Sequence, residues 1–182
     1  MFNKAGGKQV AESRYEKYVV RRPNVLKDGL EVPIEKIVWR EERPSTGPNV
    51  IMSRDLIKDS DAVIEFGLIW RDCVAGNGKP GNFNPHKHDA FDEIFCFLGT
   101  DYQNPHDLGA EAEFWLGEGK ELDRVTIRTT ATVYVPAGLA HFPLIWKNVK
   151  RPAMFVVVIC SGLERKDYWT KVVPISMEGR PM

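Results

Sequence analysis

Apolar residues along this chain fall into short runs of five to nine, broken by glycine, proline and Asp or Asn. The runs are VPIEKIVW (32–39), AVIEFGLIW (62–70), EIFCFL (93–98), AEFWL (112–116), RVTIR (124–128), TVYVP (132–136), FPLIW (142–146) and AMFVVVIC (153–160). Breakers between them include GNGKPGN (76–82), GEGK (117–120) and PAGLAH (136–141). Many short β-rich runs at close spacing predict an all-β, antiparallel sandwich or barrel. The first 20 residues are polar, with Val10, Tyr15, Tyr18 and Val19 spaced as one short helical stripe. RPSTGPNV (43–50) reads as a loop joining an N-terminal arm, residues 1–59, to a barrel with a C-terminal tail, residues 60–182.

Two kinds of strand stand out. RVTIR alternates, with Val125 and Ile127 on one face and Arg124, Thr126 and Arg128 on the other, as a strand with one wet side does. EIFCFL and AMFVVVIC are apolar on both faces. A small barrel buries only one face of each strand, so the outer face of these two needs a cover. The expected covers are the N-terminal arm or a second subunit, and a homodimer is the expected assembly.

Bulk properties narrow the partners. The 182 residues are 43% hydrophobic, which suits one domain with a sizeable core. Lys+Arg and Asp+Glu balance at 25 each, without a long run of like charge, so no nucleic-acid partner is expected. The N-terminal stretch lacks the apolar core of a secretory signal. No apolar run approaches the ~20 residues of a membrane helix. Cys73, Cys96 and Cys160 form neither an even set nor a CxxC pair, and read as reduced thiols in a cytoplasmic protein.

Candidate chemistry concentrates in NPHKHDAFDEIF (84–95). The chain has four histidines, and two of them are His86 and His88. On a strand, i and i+2 point to the same side, so both imidazoles aim into one space. Glu93 lies at an odd offset and needs a turn or bulge in DAFD (89–92) to join them. Two nitrogens and an oxygen suit a borderline divalent metal such as iron, manganese, nickel or zinc. A fourth ligand is offered downstream, where Pro136 and Gly138 shape a turn before His141.

These residues resemble the cupin superfamily. HKHDAFDEIFCFLG fits its first signature, HxH, four residues, Glu, then five or six residues and Gly, with His86, His88, Glu93 and Gly99 in place. PAGLAH fits its second, PxGxxH, as Pro136, Gly138 and His141. The likeness covers about residues 60 to 160. Pro80, Thr130 and Ile145 stand where glycine, glycine and asparagine are usual, with Gly81 and Asn148 nearby. Those departures touch loop shape and leave all four ligand positions intact.

The resemblance implies a double-stranded β-helix, or jelly-roll barrel, here with an N-terminal extension. It also implies one divalent ion held by His86, His88, Glu93 and His141. Fe2+ is the leading candidate, with Mn2+, Ni2+, Zn2+ and Cu2+ as alternatives. Four protein ligands on an octahedral ion leave two positions for water, dioxygen or a bidentate substrate. The leading expectation is a dioxygenase-like enzyme on a small organic substrate. The alternatives are an oxygen-independent isomerase, lyase or decarboxylase, or a non-enzymatic small-molecule-binding barrel. Phe95 and Phe97 share the parity of Glu93 and are expected to line the pocket, with Tyr134 as the phenol nearest it. The segment TDYQNPHDLGAEAEFWL (100–116) is a candidate cover for the barrel mouth. His106 reads as a solvated turn histidine, and Arg40, Arg54 and Arg71 as surface arginines.

Overall fold

A computed structural model of the chain describes residues 14–27, 30–33, 48–75 and 84–181. The apolar runs form strands: β1 (Asn24–Lys27), β2 (Leu30–Pro33), β3 (Asn49–Met52), β4 (Val63–Ile69), β5 (Cys73–Ala75), β6 (His86–His88) and β7 (Glu93–Gly99). Then follow β8 (Asp107–Leu116), β9 (Asp123–Thr129), β10 (Ala131–Val135), β11 (His141–Lys147), β12 (Ala153–Ile159) and β13 (Val172–Pro174). One four-residue helix, α1 (Arg165–Tyr168), lies between the last two strands. The expected strand 32–39 lies mostly outside the described residues, as do Val10, Arg40 and the breaker 76–82.

Two antiparallel sheets result. One has the order β10-β7-β12-β4-β3-β1-β2, the other β13-β6-β11-β8-β9 with β5 also pairing β11. From β6 to β13 the chain passes back and forth between the sheets, which is the jelly-roll barrel expected. Strict alternation on β4 and β7 sends Val63, Glu65, Gly67 and Ile69, and Glu93, Phe95 and Phe97, inward. Phe95, Phe97, Phe114, Leu144 and Trp146 form the main core between the sheets. Each buried side chain of this size stabilises the fold by about 1.5–3 kcal/mol.

The outer face of the first sheet is apolar, as the sequence implied. Register places Ile64, Val158 and Ile94 in one row, Phe66, Val156 and Cys96 in the next, and Leu68, Met154 and Leu98 in the third. All nine side chains are half-buried. The described strands of the N-terminal arm do not lie across them. Its strands β1 to β3 extend the same sheet at the edge of β4.

Two expectations are corrected. Val125 is 40% exposed while Ile127 is buried, because β9 is the edge strand of its sheet and only its middle reaches the core. Residues 107–116 of the inter-signature segment do not cover the barrel mouth. They form β8, a central strand between β11 and β9, on which Leu108, Ala112 and Phe114 share a parity and pack inside. The turn 101–106 that precedes it sits at the Gly99 end of β7, opposite the Glu93 end.

Candidate metal centre

The two signature segments are pinned to each other by backbone and side-chain hydrogen bonds. Gly138, at φ 85, turns the chain so that its N–H donates to the carbonyl of His88 at 2.7 Å. Asp92 accepts from the Ala137 N–H at 2.9 Å and from the Tyr134 hydroxyl at 2.6 Å. His86 and His141 face each other as a strand pair between β6 and β11. Residues 89–92 form the break between β6 and β7 that the odd offset of Glu93 requires. After His141 the pairing of β11 with β8 shifts register, and Phe142 adopts φ 75, so that His141, Phe142 and Leu144 are all buried.

His86, His88, Glu93 and His141 converge inside the barrel and none is more than 6% exposed. One ring nitrogen from each of the three histidines lies within 4.8 Å of the others. The Glu93 carboxylate stands 3.0 Å from His141 Nε2 and 3.5 Å from His88 Nε2. His86 Nδ1 bonds the Asn84 carbonyl at 2.8 Å, and His141 Nδ1 bonds the Leu139 carbonyl at 3.2 Å. A carbonyl only accepts, so both Nδ1 atoms carry the proton and both Nε2 lone pairs point into the site. That is how metal-ligating imidazoles are oriented. His141 Nε2 and Glu93 Oε2 are fully buried, and beyond the 3.0 Å contact they make with each other neither has a hydrogen-bond partner. Buried polar atoms without partners are costly, and a bound cation is what this set of donors fits.

Electrostatics agree with that fit. Burial pushes the His86 imidazole down to about 4, helped by the like charge of His141. His88 is also pushed down by burial, against the pull of Glu93. Both are therefore neutral, the form that binds metal. Burial alone would raise Glu93, but the close approach of His141 and the other facing imidazoles hold it below its ordinary value, as a carboxylate.

The walls are aromatic. Phe91 stacks on His88 at 4.6 Å, and Phe142 stacks on His86 at 5.5 Å. Phe95 lies 5.6 Å from the His141 ring, so it lines the site as expected. Phe97 lies one step deeper, among Phe114, Trp146 and Phe155. Tyr134 does not line the site: it faces outward on β10, is 57% exposed, and bonds Asp92. The parity of β10 decides this, since Val133 and Val135 take the inward positions. His106 is exposed in its turn, Arg71 is exposed, and Arg54 pairs with Asp61 at 3.0 Å.

One residue at the site was missed. Tyr168 on α1 is 5% exposed, and its hydroxyl lies 3.2 Å from His88 Nε2 and 3.4 Å from Glu93 Oε1. It reaches the mouth because β13 pairs with β6 and draws the preceding tail across the opening. No local motif marks it.

No protein-family model and no curated protein matches the sequence. Solved structures do. An oxalate oxidase in complex with the substrate analogue glycolate is 16% identical, with a TM-score of 0.45 over 71% of this chain and 58% of that one. The capsular polysaccharide assembling protein CapF from Staphylococcus aureus is 9% identical, with a TM-score of 0.47 over 70% of this chain and 29% of that one. A cupin-2 domain from Rhodospirillum rubrum is 9% identical, with a TM-score of 0.41 over 68% of this chain and 66% of that one. The chain thus spans little more than half of the first of these and under a third of the second. The likeness is one of fold. The strand order of this chain is by itself that of a two-sheet antiparallel jelly-roll barrel, with the two signature segments paired through His86 and His141.

Proposed function

We propose that the protein is a metal-dependent enzyme, dioxygenase-like, acting on a small organic substrate at one divalent ion. His86, His88, Glu93 and His141 hold that ion, and Fe2+ is the leading candidate. The observation that carries this reading is the inward aim of two fixed Nε2 lone pairs, one of them facing a buried carboxylate oxygen at 3.0 Å. A bound ion of this kind supplies Lewis acidity and, if redox-active, a place for dioxygen. The protein's own part is to orient the ligands through Asn84 and Leu139 and to exclude water with Phe91, Phe95 and Phe142. An apolar wall of this sort protects reactive species from solvent. The protein acts as a homodimer through the apolar outer face of the first sheet. Three free cysteines suit a reducing cytoplasm, and no helix among the described residues is long and apolar enough to cross a membrane.

Elemental analysis of the purified protein, beside His88→Ala, tests the metal. A near-stoichiometric ion that disappears in the variant is the expected result. Oxygen uptake with iron loaded, across a panel of small organic acids and phenols, then tests the reaction class. Turnover without oxygen consumption would move the assignment to Lewis-acid isomerase, lyase or decarboxylase chemistry. Failure to retain any divalent ion after reconstitution would move it to a small-molecule-binding barrel.

A further inference from the structure

Tyr168 contributes nothing to either signature, yet its hydroxyl sits among the ligand atoms. It is 3.2 Å from His88 Nε2 and 3.4 Å from Glu93 Oε1, and those two atoms are themselves 3.5 Å apart. The three atoms therefore form a nearly equilateral triangle. An O–H donor normally closes to about 2.7–2.8 Å, so both are long hydrogen bonds. The spacing fits a different role. Donors bound to one ion at ~2.1 Å stand ~3.0 Å apart at the cis positions of an octahedron, so these three atoms need to close by only a few tenths of an ångström to share one ion.

The phenol is also held in place. Its ring stacks on Phe91 at 5.5 Å and lies 5.2 Å from the His88 ring. It belongs to a small cluster with Val50, Val63, Phe91 and Ile159. Its backbone is fixed by the bond from Tyr168 N–H to the Glu164 carbonyl at 3.0 Å. A buried phenol packed in this cluster, with its oxygen aimed at two metal-directed donors, is a placed group.

We propose that Tyr168 is a fifth donor to the metal, binding as the phenolate in the substrate-free protein and filling one of the two exchangeable positions. This rests on the metal centre proposed above. One position then stays open for a small ligand, and a bidentate substrate has to displace the phenolate. The tail between Ser161 and Lys171 would have to shift when that happens, so it governs entry to the site as well as closing it.

The test is optical and needs no substrate. The full-length protein is loaded with Fe2+ under argon and oxidised with ferricyanide. A phenolate bound to ferric iron gives a visible charge-transfer band that imidazole and carboxylate ligands do not. Three variants run in parallel: Tyr168→Phe, Tyr134→Phe and His88→Ala, each with iron stoichiometry and circular dichroism. Tyr168→Phe keeps the ring packing on Phe91 and removes only the oxygen. The expected result is a band in the wild type and in Tyr134→Phe, complete loss of it in Tyr168→Phe, and unchanged iron content in that variant. Stoichiometric iron without a band in the wild type, or a band that survives Tyr168→Phe, overturns this proposal and leaves the metal centre standing. Absence of bound iron in the wild type overturns both.

Discussion

His86 carries the sharpest electrostatic consequence of the site. Its pKa in the folded protein lies near 4, pushed down by burial and by His141, against about 6.5 in an unfolded chain. Between those values the unfolded chain binds a proton that the folded one refuses. Stability of the metal-free protein therefore rises with pH across that window, is fully present above it, and falls as the pH drops through it. The shift corresponds to about 3 kcal/mol. His88 is moved the same way, and the lowered Glu93 also loses its contribution as pH falls, so the three act in concert. Urea titrations of chelator-stripped protein at several pH values check this, and a flat profile from pH ~4 to ~6.5 would show that the imidazoles are solvated. Gly99, the last residue of the first signature, gives a second prediction. A Cβ built there meets the Asp107 carbonyl oxygen at 2.1 Å, so Gly99→Ala forces two backbones apart and is expected to destabilise by about 1–3 kcal/mol. At this scale the sequence was legible wherever a function depends on local spacing. HxH brought His86 and His88 into one space by parity, and a turn at 89–92 let Glu93 join them. Tyr168 lies 75 residues from Glu93 and meets it only through the folding of the tail, so spacing carried no trace of it.

The C-terminal tail is the element that the apolar pattern understated. β13 is three residues long and two of them, Val173 and Pro174, are exposed, so its run carries little signal. It is held instead by its ladder to β6, by the Ile175 N–H bond to the Pro85 carbonyl at 3.0 Å, and by Arg180. Arg180 is 7% exposed and donates from Nε to the Phe142 carbonyl at 2.9 Å and from its terminal nitrogen to the Gly117 carbonyl. Both carbonyls lie beside the second signature, so one guanidinium ties the tail to the strand that bears His141. Arg180→Met is expected to leave them unsatisfied and to lower stability by about 1–3 kcal/mol. Arg180→Lys should rescue little, because an ammonium cannot reproduce the forked geometry. Urea denaturation of both variants checks this, and full rescue by lysine would mean that charge alone holds the tail. The departure at Thr130 has a comparable explanation. Its hydroxyl accepts from the Gly99 N–H at 3.0 Å and its N–H donates to the His106 carbonyl at 2.8 Å, so it anchors the turn before β8 in place of the usual glycine.

At the scale of the whole molecule the outer face of the first sheet remains the feature without a described cover. The inference that strands apolar on both faces need covering rested on EIFCFL and AMFVVVIC alone. Register now adds β4 and turns it into a grid of three rows by three strands centred on Val156. With strands ~4.8 Å apart and ~3.4 Å per residue, that grid is roughly 10 by 14 Å. A stable dimer buries about 800 Å² per partner, so the grid is the size of an interface core and needs a rim. Thr132 and Tyr134 of β10, both exposed, lie along one side of it, and Met52 of β3 along the other. The described N-terminal strands widen the sheet instead of shielding the grid, and the homodimer proposed above would seat a second copy on this flat face. Light scattering is expected to give the mass of a dimer at micromolar concentration. Val156→Lys places a charge at the centre of the grid, where an isolated subunit would solvate it without loss of fold. That variant is expected to run as a folded monomer that still holds its metal, since the ligands face the other side of the sheet. A wild-type monomer, or a Val156→Lys protein that stays dimeric, would locate the cover elsewhere and separate assembly from this face.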